Sequence, residues 1–298
     1  MSDGLGPIFI GGLSHTGKTQ LRMVLGAHPA ISMTRRTYMW DRFYERFGDL
    51  GDPRNRERCL SAMLRDAGVR GLGPDPERIR REFLERPPTY AHLFELFHRH
   101  HAERTGKRRW GEQLGSVERY ADPIFAGFSS ARMIHMVRDP RGTPDARRGG
   151  AGWRTAMWLH SAGLAERNRR RYGDRYRVVR YETLASQPAE TVRELCRFLQ
   201  EWFVPEMGAA LDAISFDPGG GGAPGAAAGS WSPSEAAFVE RYAGRHLPAL
   251  GYPSTMRALS PRERMEFALV DRPLNRATAA AWRVLEGRPS DKRARSLG

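Results

Sequence analysis

The sequence predicts an α/β fold in which a parallel β-sheet carries helices on both faces. Short apolar runs rich in strand-forming residues recur along the chain, and amphipathic segments with a helical period lie between them. In addition, the segment GLSHTGKT stands directly after the first apolar run and directly before a helical pattern. A strand, a glycine loop and a helix in this order are typical of a parallel sheet whose loop binds phosphate.

Three segments have the pattern of buried parallel strands. They are residues 8–10 (IFI), 133–137 (MIHMV) and 176–181 (YRVVRY). Each is a short run dominated by apolar and β-branched or aromatic residues, which is what a strand covered on both faces requires.

Helical patterns fill much of the remaining chain. They are predicted at residues 18–27, 191–199 and 233–246, and across most of residues 38–105, with breaks at 68–76 and 87–88. The helix predicted at residues 233–246 starts within Ser-Pro-Ser-Glu at residues 232–235, which is a helix-start signal. The aromatic residues of the 38–105 segment are expected to form core rather than a binding wall.

The end of the chain differs from the rest in pattern. Residues 218–229 are half glycine and are expected to form a loop or linker. Beyond it we expect two short helices, at residues 262–270 and 274–285, separated by Pro273, and then a basic end. We therefore divide the chain into an α/β domain at residues 1–255 and a helical, basic tail at residues 256–298.

Composition limits the class of protein. The net charge is +14, and all but three of the 48 basic residues are arginine, so the charge is either a field that attracts anions or a solvated surface. Without an aromatic RNA-binding signature, nucleic-acid binding is not expected, whereas peripheral contact with an anionic membrane stays open. No apolar run is long enough for a signal peptide or a membrane span, and the two cysteines lack metal-ligand spacing, which together predict a cytoplasmic protein.

The segment at residues 12–19 matches the phosphate-loop pattern GxxxxGK(S/T) at every fixed position. Glycines let the backbone approach phosphate oxygens closely, and the following helix adds the positive end of its dipole. Lys18 supplies a point charge, and Thr19 supplies a hydroxyl to phosphate or to Mg²⁺. The alternative is a glycine turn with an exposed lysine.

Two classes of enzyme fit such a loop. A kinase or NTPase using ATP and Mg²⁺ needs a second apolar strand that ends in an aspartate to hold the metal. The best candidate is Asp139, but Arg138 stands directly before it. This arrangement suits an anion better than a metal ion.

Several segments together resemble the sulfotransferases that use 3′-phosphoadenylyl sulfate (PAPS). Residues 9–25 are similar to that family's loop for the 5′-phosphosulfate, and residues 131–142 (ARMIHMVRDPRG) to the strand and RDPR turn that bind the 3′-phosphate. Residues 179–199, which contain YETL, residues 230–252, which end in LGY, and residues 110–120, which begin with WGE, resemble further segments of the family in the same order. The resemblance covers residues 7–253 and implies a sulfotransferase-like P-loop architecture.

The resemblance also implies site residues. The 5′-phosphosulfate would be bound by Ser14, His15, Thr16, Gly17, Lys18, Thr19 and Gln20. Arg138 would pair with the 3′-phosphate, and Tyr181 would lie near the adenine. The chain departs from the family pattern in four places: His15 replaces a basic loop residue, Lys18 replaces threonine, Ala146 replaces a serine, and Gln113 begins the segment that replaces Lys-Thr-Pro.

For catalysis, Lys18 and the loop amides are expected to stabilise charge on the leaving nucleotide, with protonated His15 as proton donor. Glu112, in a stretch that looks like a loop, is the first candidate for the base that takes the acceptor proton. A histidine among His98, His100 and His101 is the second, although this cluster is more simply explained as a solvated helix face. No metal is expected.

The acceptor is not identified by the sequence. A small-molecule, lipid or carbohydrate hydroxyl or amine would suit the reaction, and the oligomeric state is open. A nucleotide-binding module without catalytic activity is the remaining alternative, since Lys-Thr-Pro and the serine are both replaced.

Overall fold

The protein contains a single five-stranded, wholly parallel sheet in the part of the chain that the structure describes. That structure is a computed structural model, and it describes residues 5–142, 150–216, 232–253 and 258–286. In the order β2-β3-β1-β4-β5, every neighbouring pair of strands is parallel. The strands are β1 Ile8–Gly12, β2 Ile31–Arg35, β3 Arg109–Gln113, β4 Arg132–Val137 and β5 Tyr176–Arg180.

Helices cover both faces of this sheet, which confirms the predicted fold class. The helices are α1 Lys18–Ala27, α2 Met39–Arg42, α3 Pro53–Arg65, α4 Ala67–Arg70, α5 Pro76–Phe83, α6 Tyr90–Arg104, α7 Ala121–Gly127, α8 Gly150–Tyr172, α9 Tyr181–Ser186, α10 Pro188–Leu199, α11 Pro205–Asp212, α12 Pro233–Ala243, α13 His246–Ala249, α14 Pro261–Glu266 and α15 Arg272–Glu286. Short 3-10 turns stand at Val117–Tyr120, Pro140–Gly142 and Gly173–Arg175.

Alternation along the strands divides the core into two layers. Phe9 points to one face and packs with the aromatic side chains of α2 to α7. Ile8 and Ile10 point to the other face and pack with α1, α10 and α11. The aromatic residues of the 38–105 segment are therefore core, as predicted; Trp40 and Phe94, for example, pack edge to face with ring centroids 5.1 Å apart.

The three predicted strands and the helices at 18–27, 191–199 and 233–246 are present, with small differences at their ends. Tyr181 begins helix α9 instead of ending strand β5. Ser232 caps α12 through a capping box with Glu235, as the sequence signal indicates.

Two strands were missed by the sequence analysis. Strand β2 (ISMTR) ends in polar residues, and strand β3 (RWGEQ) has charged residues at positions that are buried here. The periodicity rule finds apolar runs, so strands of mixed composition escape it. The prediction that Glu112 lies in a loop was wrong, because Glu112 is in β3 between its two neighbouring strands.

The register of the sheet brings the strand ends to one edge. Arg35 is level with Gln113, Gly12 with Met136, and Val137 with Arg180. Because all five strands run in the same direction, the loops that follow them emerge side by side. A crevice at the carboxyl ends of parallel strands is where such sheets bind ligands.

The C-terminal helix α15 packs along α8. The Gly152 amide donates to Asn275 Oδ1 at 2.8 Å, and the rings of His160 and Trp282 meet edge to face. Pro273 does not separate two helices as predicted: a π-helical turn, Phe267–Asp271, joins α14 to α15 and lets the helical path continue past the proline. No helix in the described ranges has the length and apolar character needed to cross a membrane.

Some predictions lie outside the described residues. They concern Ala146, the glycine-rich segment at 218–229 and the basic end beyond residue 286.

The contact between α8 and α15 allows a stability prediction. A Cβ at Gly152 would lie 1.8 Å from the Asn275 carbonyl oxygen, whereas a Cβ at Gly163 on the same helix meets nothing within 4 Å. We expect Gly152→Ala to lower the free energy of unfolding by about 1–3 kcal/mol, because α15 must move away. The matched Gly163→Ala should raise it by about 0.5–1 kcal/mol through helix propensity. Urea unfolding followed by circular dichroism measures both, and equal effects of the two changes would contradict the packing.

Candidate functional site

A cleft of about 630 Å³ opens at the carboxyl edge of the sheet. Every strand contributes to it through the segment that follows. Its lining residues are Ser14, His15, Gly17, Lys18, Thr19, Gln20, Arg36, Tyr38, Gln113, Leu114, Gly115, Arg138 and Tyr181. The predicted phosphate loop after β1 therefore forms the centre of the cleft, with two strands on either side of it.

The loop has the backbone conformation that a phosphate-binding turn requires. Gly12 has φ +116°, and a Cβ there would lie 2.1 Å from the Met136 carbonyl oxygen. Gly17 is left-handed at the start of α1, and a Cβ there would collide with Tyr181. Only glycine fits at both positions, which is what a tight phosphate-binding turn before a helix requires.

Lys18 is folded back onto this loop. Its ammonium donates a hydrogen bond to the Gly12 carbonyl oxygen, and the residue is only 8% exposed. Burial lowers the pKa of Lys18 from 10.5 to about 8, and the nearby Glu118 carboxylate opposes part of that shift. An anion in the cleft would favour the charged form of Lys18, which burial disfavours.

The carboxylate of Glu118 lies directly beneath the loop. Glu118 is in the 3-10 turn Val117–Tyr120, is 1% exposed, and accepts the Gly12 amide hydrogen at 3.0 Å. The peptide groups of Gly12 are thus held from two sides, the amide by Glu118 and the carbonyl by Lys18. The sequence analysis did not single out this carboxylate, although it lies against the predicted loop.

A buried polar network surrounds Glu118. His135 Nε2 lies 3.8 Å from Glu118 Oε1 and 2.9 Å from Ser161 Oγ, and its Nδ1 lies 2.7 Å from the hydroxyl of Tyr176. Asn168 donates to the Glu118 carbonyl oxygen at 2.8 Å. Burial lowers the pKa of His135 and raises that of Tyr176, so both are held in their neutral forms beneath the loop.

Arg138 follows β4 and reaches across to the loop. One of its terminal nitrogens, Nη1, donates to the His15 carbonyl oxygen at 2.9 Å, and the guanidinium carbon lies 4.2 Å from the centre of the Tyr181 ring. Arg138 is 5% exposed, yet Nε and Nη2 have no hydrogen-bond partner among the described residues. Buried donors of this kind are normally satisfied, which points to an anionic ligand as their partner.

The carboxylate of Glu182 joins the RDPR turn, the YETL segment and the segment that ends in LGY. Glu182 accepts the Asp139 amide hydrogen at 2.8 Å, and it also accepts the hydroxyl of Tyr252 at 3.0 Å. The Trp158 indole donates to the Arg138 carbonyl oxygen at 2.9 Å. The turn that carries Arg138 is therefore fixed from several elements, and the direction of its side chain does not depend on the loop alone.

Most of the predicted binding residues meet in the cleft. Ser14, His15, Gly17, Lys18, Thr19, Gln20, Arg138 and Tyr181 all line it. Thr16 does not: it is buried, and its hydroxyl donates to the Leu13 carbonyl oxygen at 2.8 Å within the loop.

The predicted candidates for the base lie elsewhere. Glu112 is 0% exposed and accepts a hydrogen bond from the Thr37 hydroxyl, with His98 Nε2 at 3.6 Å from its other oxygen. His98 is equally buried and stacks on Trp110 with ring centroids 4.7 Å apart. None of the four candidate bases lines the cleft, neither Glu112 nor His98, His100 or His101.

The interpretation of the histidine cluster as a solvated face was wrong. His98 and His100 are both buried in α6, and His100 Nε2 lies 2.9 Å from a Glu82 carboxylate oxygen. His101, partly exposed, lies 3.3 Å from the Leu72 carbonyl oxygen through Nδ1.

Arg36 and Tyr38 were also missed, because they follow the unpredicted strand β2. Both have left-handed backbones, with φ 58° and 50°, as does His15 with φ 61°. Half of the six described non-glycine residues with positive φ thus line the cleft, and strain of this kind concentrates at functional sites.

The charge in the cleft is of one sign. Lys18, Arg36 and Arg138 line it together with His15, and none of the described lining residues is an aspartate or glutamate. A cleft lined by cations and loop amides attracts anions and raises their local concentration.

Comparison with known proteins gives a consistent result. A family model described as the sulfotransferase family matches residues 7–204. No curated protein sequence matches at a significant level.

Three similar solved structures share less than 20% sequence identity with this chain. The sulfotransferase domain of the Synechococcus PCC 7002 olefin synthase is 18% identical, with 91% of this chain and 96% of that chain covered at a TM-score of 0.47. A sulfotransferase from Alicyclobacillus acidocaldarius is 19% identical, with 84% of this chain and 97% of that chain covered at a TM-score of 0.46. For the sulfotransferase STF1 from Mycobacterium tuberculosis H37Rv the values are 17% identity, 74% and 74% coverage, and a TM-score of 0.43.

The depressed pKa of Lys18 predicts how stability depends on pH. Between its folded pKa of about 8 and its unfolded value of 10.5, the unfolded chain holds a proton that the folded chain has lost. Stability should therefore rise with pH across this window. Across this window the free energy of unfolding of the wild type should rise by up to about 3 kcal/mol relative to that of Lys18→Met. Urea unfolding at a series of pH values measures this difference. Parallel pH profiles for the two proteins would contradict the buried lysine.

Proposed function

Because the chain belongs to the sulfotransferase family, we propose that it transfers a sulfuryl group from PAPS to a hydroxyl or amine of a small-molecule, lipid or carbohydrate acceptor. The observation that carries the proposal is the pairing of two anion sites in one cleft. The phosphate loop with Lys18 forms one, and the unsatisfied donors of Arg138 form the other. A ligand with two separated phosphate groups suits this arrangement.

The 5′ end of the donor would lie on the loop. The amides at the start of α1, Lys18 and the exposed hydroxyls of Ser14 and Thr19 are the available donors there. The 3′-phosphate would take the free Nε and Nη2 of Arg138, whose fork matches phosphate oxygens. The Tyr181 ring beside Arg138 would contact the adenosine.

Bound PAPS would supply the sulfuryl group and a nucleotide as the leaving group. Lys18 would move from the Gly12 carbonyl to the charge that develops on the leaving oxygen, and the loop amides would add further donors. His15 is exposed in the cleft, and its imidazolium would donate a proton to the same oxygen. Each well-placed donor of this kind contributes about 3 kcal/mol to transition-state stabilisation.

Glu112 supports the site from below in this proposal and does not take the acceptor proton. That proton would pass to solvent water, because the described lining residues of the cleft include no carboxylate. Its carboxylate is buried and engaged with Thr37, whose neighbours Arg36 and Tyr38 line the cleft. We therefore assign Glu112 the role of holding the segment after β2, in place of the role of base expected from the sequence.

A kinase using ATP and Mg²⁺ is the second candidate, favoured by the exact match of the loop to the GxxxxGK(S/T) pattern. The residue that would hold the metal is Asp139. Its carboxylate is engaged by Arg141, at 2.9 Å and 2.7 Å for its two oxygens. A carboxylate paired to a guanidinium in this way is a poor ligand for Mg²⁺.

A cytoplasmic location fits this proposal, because Cys59 and Cys196 are both free and buried.

Calorimetry with adenosine 3′,5′-bisphosphate tests the donor. We expect binding in the presence of EDTA, since the cleft offers cationic side chains in place of a metal. Binding of ATP that requires Mg²⁺, with no response to the bisphosphate, would overturn the proposal in favour of the kinase. Tight nucleotide binding without transfer to any acceptor would favour a non-catalytic module.

Replacement of Arg138 tests the 3′-phosphate site. Arg138→Gln should weaken adenosine 3′,5′-bisphosphate by about 100-fold, because two charged hydrogen bonds are lost. The affinity for adenosine 5′-monophosphate, which lacks the 3′-phosphate, should change by about threefold or less. Arg177→Gln, an exposed charge change on neighbouring strand β5, is the control. Equal weakening of both nucleotides by Arg138→Gln would remove the assignment.

A further inference from the structure

The order of the strands divides the cleft into two halves. Arg138 and Tyr181 follow β4 and β5 on one side of the phosphate loop. On the other side, Arg36 and Tyr38 follow β2, and Gln113 ends β3. With neighbouring strands about 4.8 Å apart, Arg36 and Arg138 originate from strands about 14 Å apart. If the donor lies on the loop and Arg138, as the proposed function requires, the half beyond β3 is left for the acceptor.

The backbone of Arg36 is fixed in an unusual conformation. Arg36 and Tyr38 are both left-handed, which costs roughly 1 kcal/mol or more for each such residue. Between them, the Thr37 hydroxyl donates to the buried carboxylate of Glu112. In addition, the Arg36 carbonyl oxygen packs so closely on Gly68 that a Cβ at Gly68 would lie 2.3 Å from this oxygen.

The guanidinium held by this segment is available for a ligand. Arg36 is exposed, and it has no ion pair or side-chain hydrogen bond within the ranges that the structure describes. Nearby Arg42, by contrast, is paired with Asp66. No carboxylate of the described lining residues competes for Arg36.

We propose that Arg36 binds an anionic group of the acceptor, so that the substrates are hydroxy or amino compounds carrying a carboxylate, phosphate or sulfate near the nucleophile. A strained backbone, anchored by a buried carboxylate, holds a cation without a partner in the half of the cleft opposite the donor's 3′-phosphate site. A neutral acceptor would leave this arginine without a function in binding.

A panel of hydroxy acids, each paired with its neutral amide, tests the proposal. Binding of both members of each pair is measured by calorimetry on protein saturated with adenosine 3′,5′-bisphosphate. The wild type should bind the acids about tenfold more tightly than the amides, and Arg36→Gln should abolish the difference. Equal binding of acids and amides by the wild type, or no binding of any acid, overturns the proposal.

Arg35→Gln is the matched control, because it removes the same charge one residue away. Arg35 is exposed at the end of β2 and does not line the cleft. The Arg35→Gln variant should keep the preference for acids. If this variant loses the preference, the acids are attracted by the overall positive charge and not by a contact with Arg36. The bisphosphate affinity, measured separately, reports on the proposed donor. If the protein does not bind the bisphosphate, but the Arg36-dependent preference for acids is found in protein without nucleotide, the proposed function fails and the anion site stands.

The anchor is tested through Thr37. Thr37→Val removes the hydrogen bond to Glu112 at nearly constant volume, and Thr37→Ser keeps it. We expect the preference for acids to fall about fivefold in the valine variant and to be retained in the serine variant, with unchanged affinity for the bisphosphate in both. A preference unaffected by Thr37→Val would show that Arg36 is not held through Glu112.

Discussion

The hydrogen bonds at Gly12 are the interaction on which the rest of the site depends. One peptide group offers its amide to Glu118, and the next offers its carbonyl to Lys18, so that a buried anion and a buried cation are joined through the backbone of the loop. Burying either charge alone would cost several kcal/mol. Together they are tolerable, and the remaining penalty is visible in the lowered pKa of Lys18. In the proposed function, an anionic ligand would reduce that penalty, so that part of the affinity for phosphate would be prepared before the ligand arrives.

The parallel sheet turns this local arrangement into an extended site. Since every strand ends at the same edge, residues far apart in sequence emerge side by side. The central position of β1 places the loop between two pairs of strands. The side of β4 and β5 carries Arg138, fixed by Trp158 and by the turn that Glu182 holds. The side of β2 and β3 carries Arg36 on a segment that Glu112 holds through Thr37.

The sequence predicted the centre and one side of this site but not the other. The fold class, the loop, Lys18 and Arg138 were accessible because glycine spacing and apolar strands are local signals. Arg36 and Tyr38 were not, because β2 and β3 are of mixed composition and their place in the sheet is a tertiary fact. Glu112 and Glu118 were beyond local reasoning for the same reason. The local sequence does not show whether a glutamate is buried or exposed. In the assembled sheet both Glu112 and Glu118 are buried, and they bind different partners.

Side chains from other elements explain why the strained backbone in the cleft persists. His15 and Arg36 adopt left-handed backbones that an isolated segment of chain would avoid. In each case a side chain from another element holds the local peptide in place: Arg138 bonds the His15 carbonyl, and Glu112 bonds the residue after Arg36. The conformational cost is thus met by the fold before a ligand binds, and it need not be met again during binding. Under the two proposals above, a cleft prepared in this way would favour ligands whose negative charges match the placement of its cations, and it would select both substrates by charge placement more than by apolar shape.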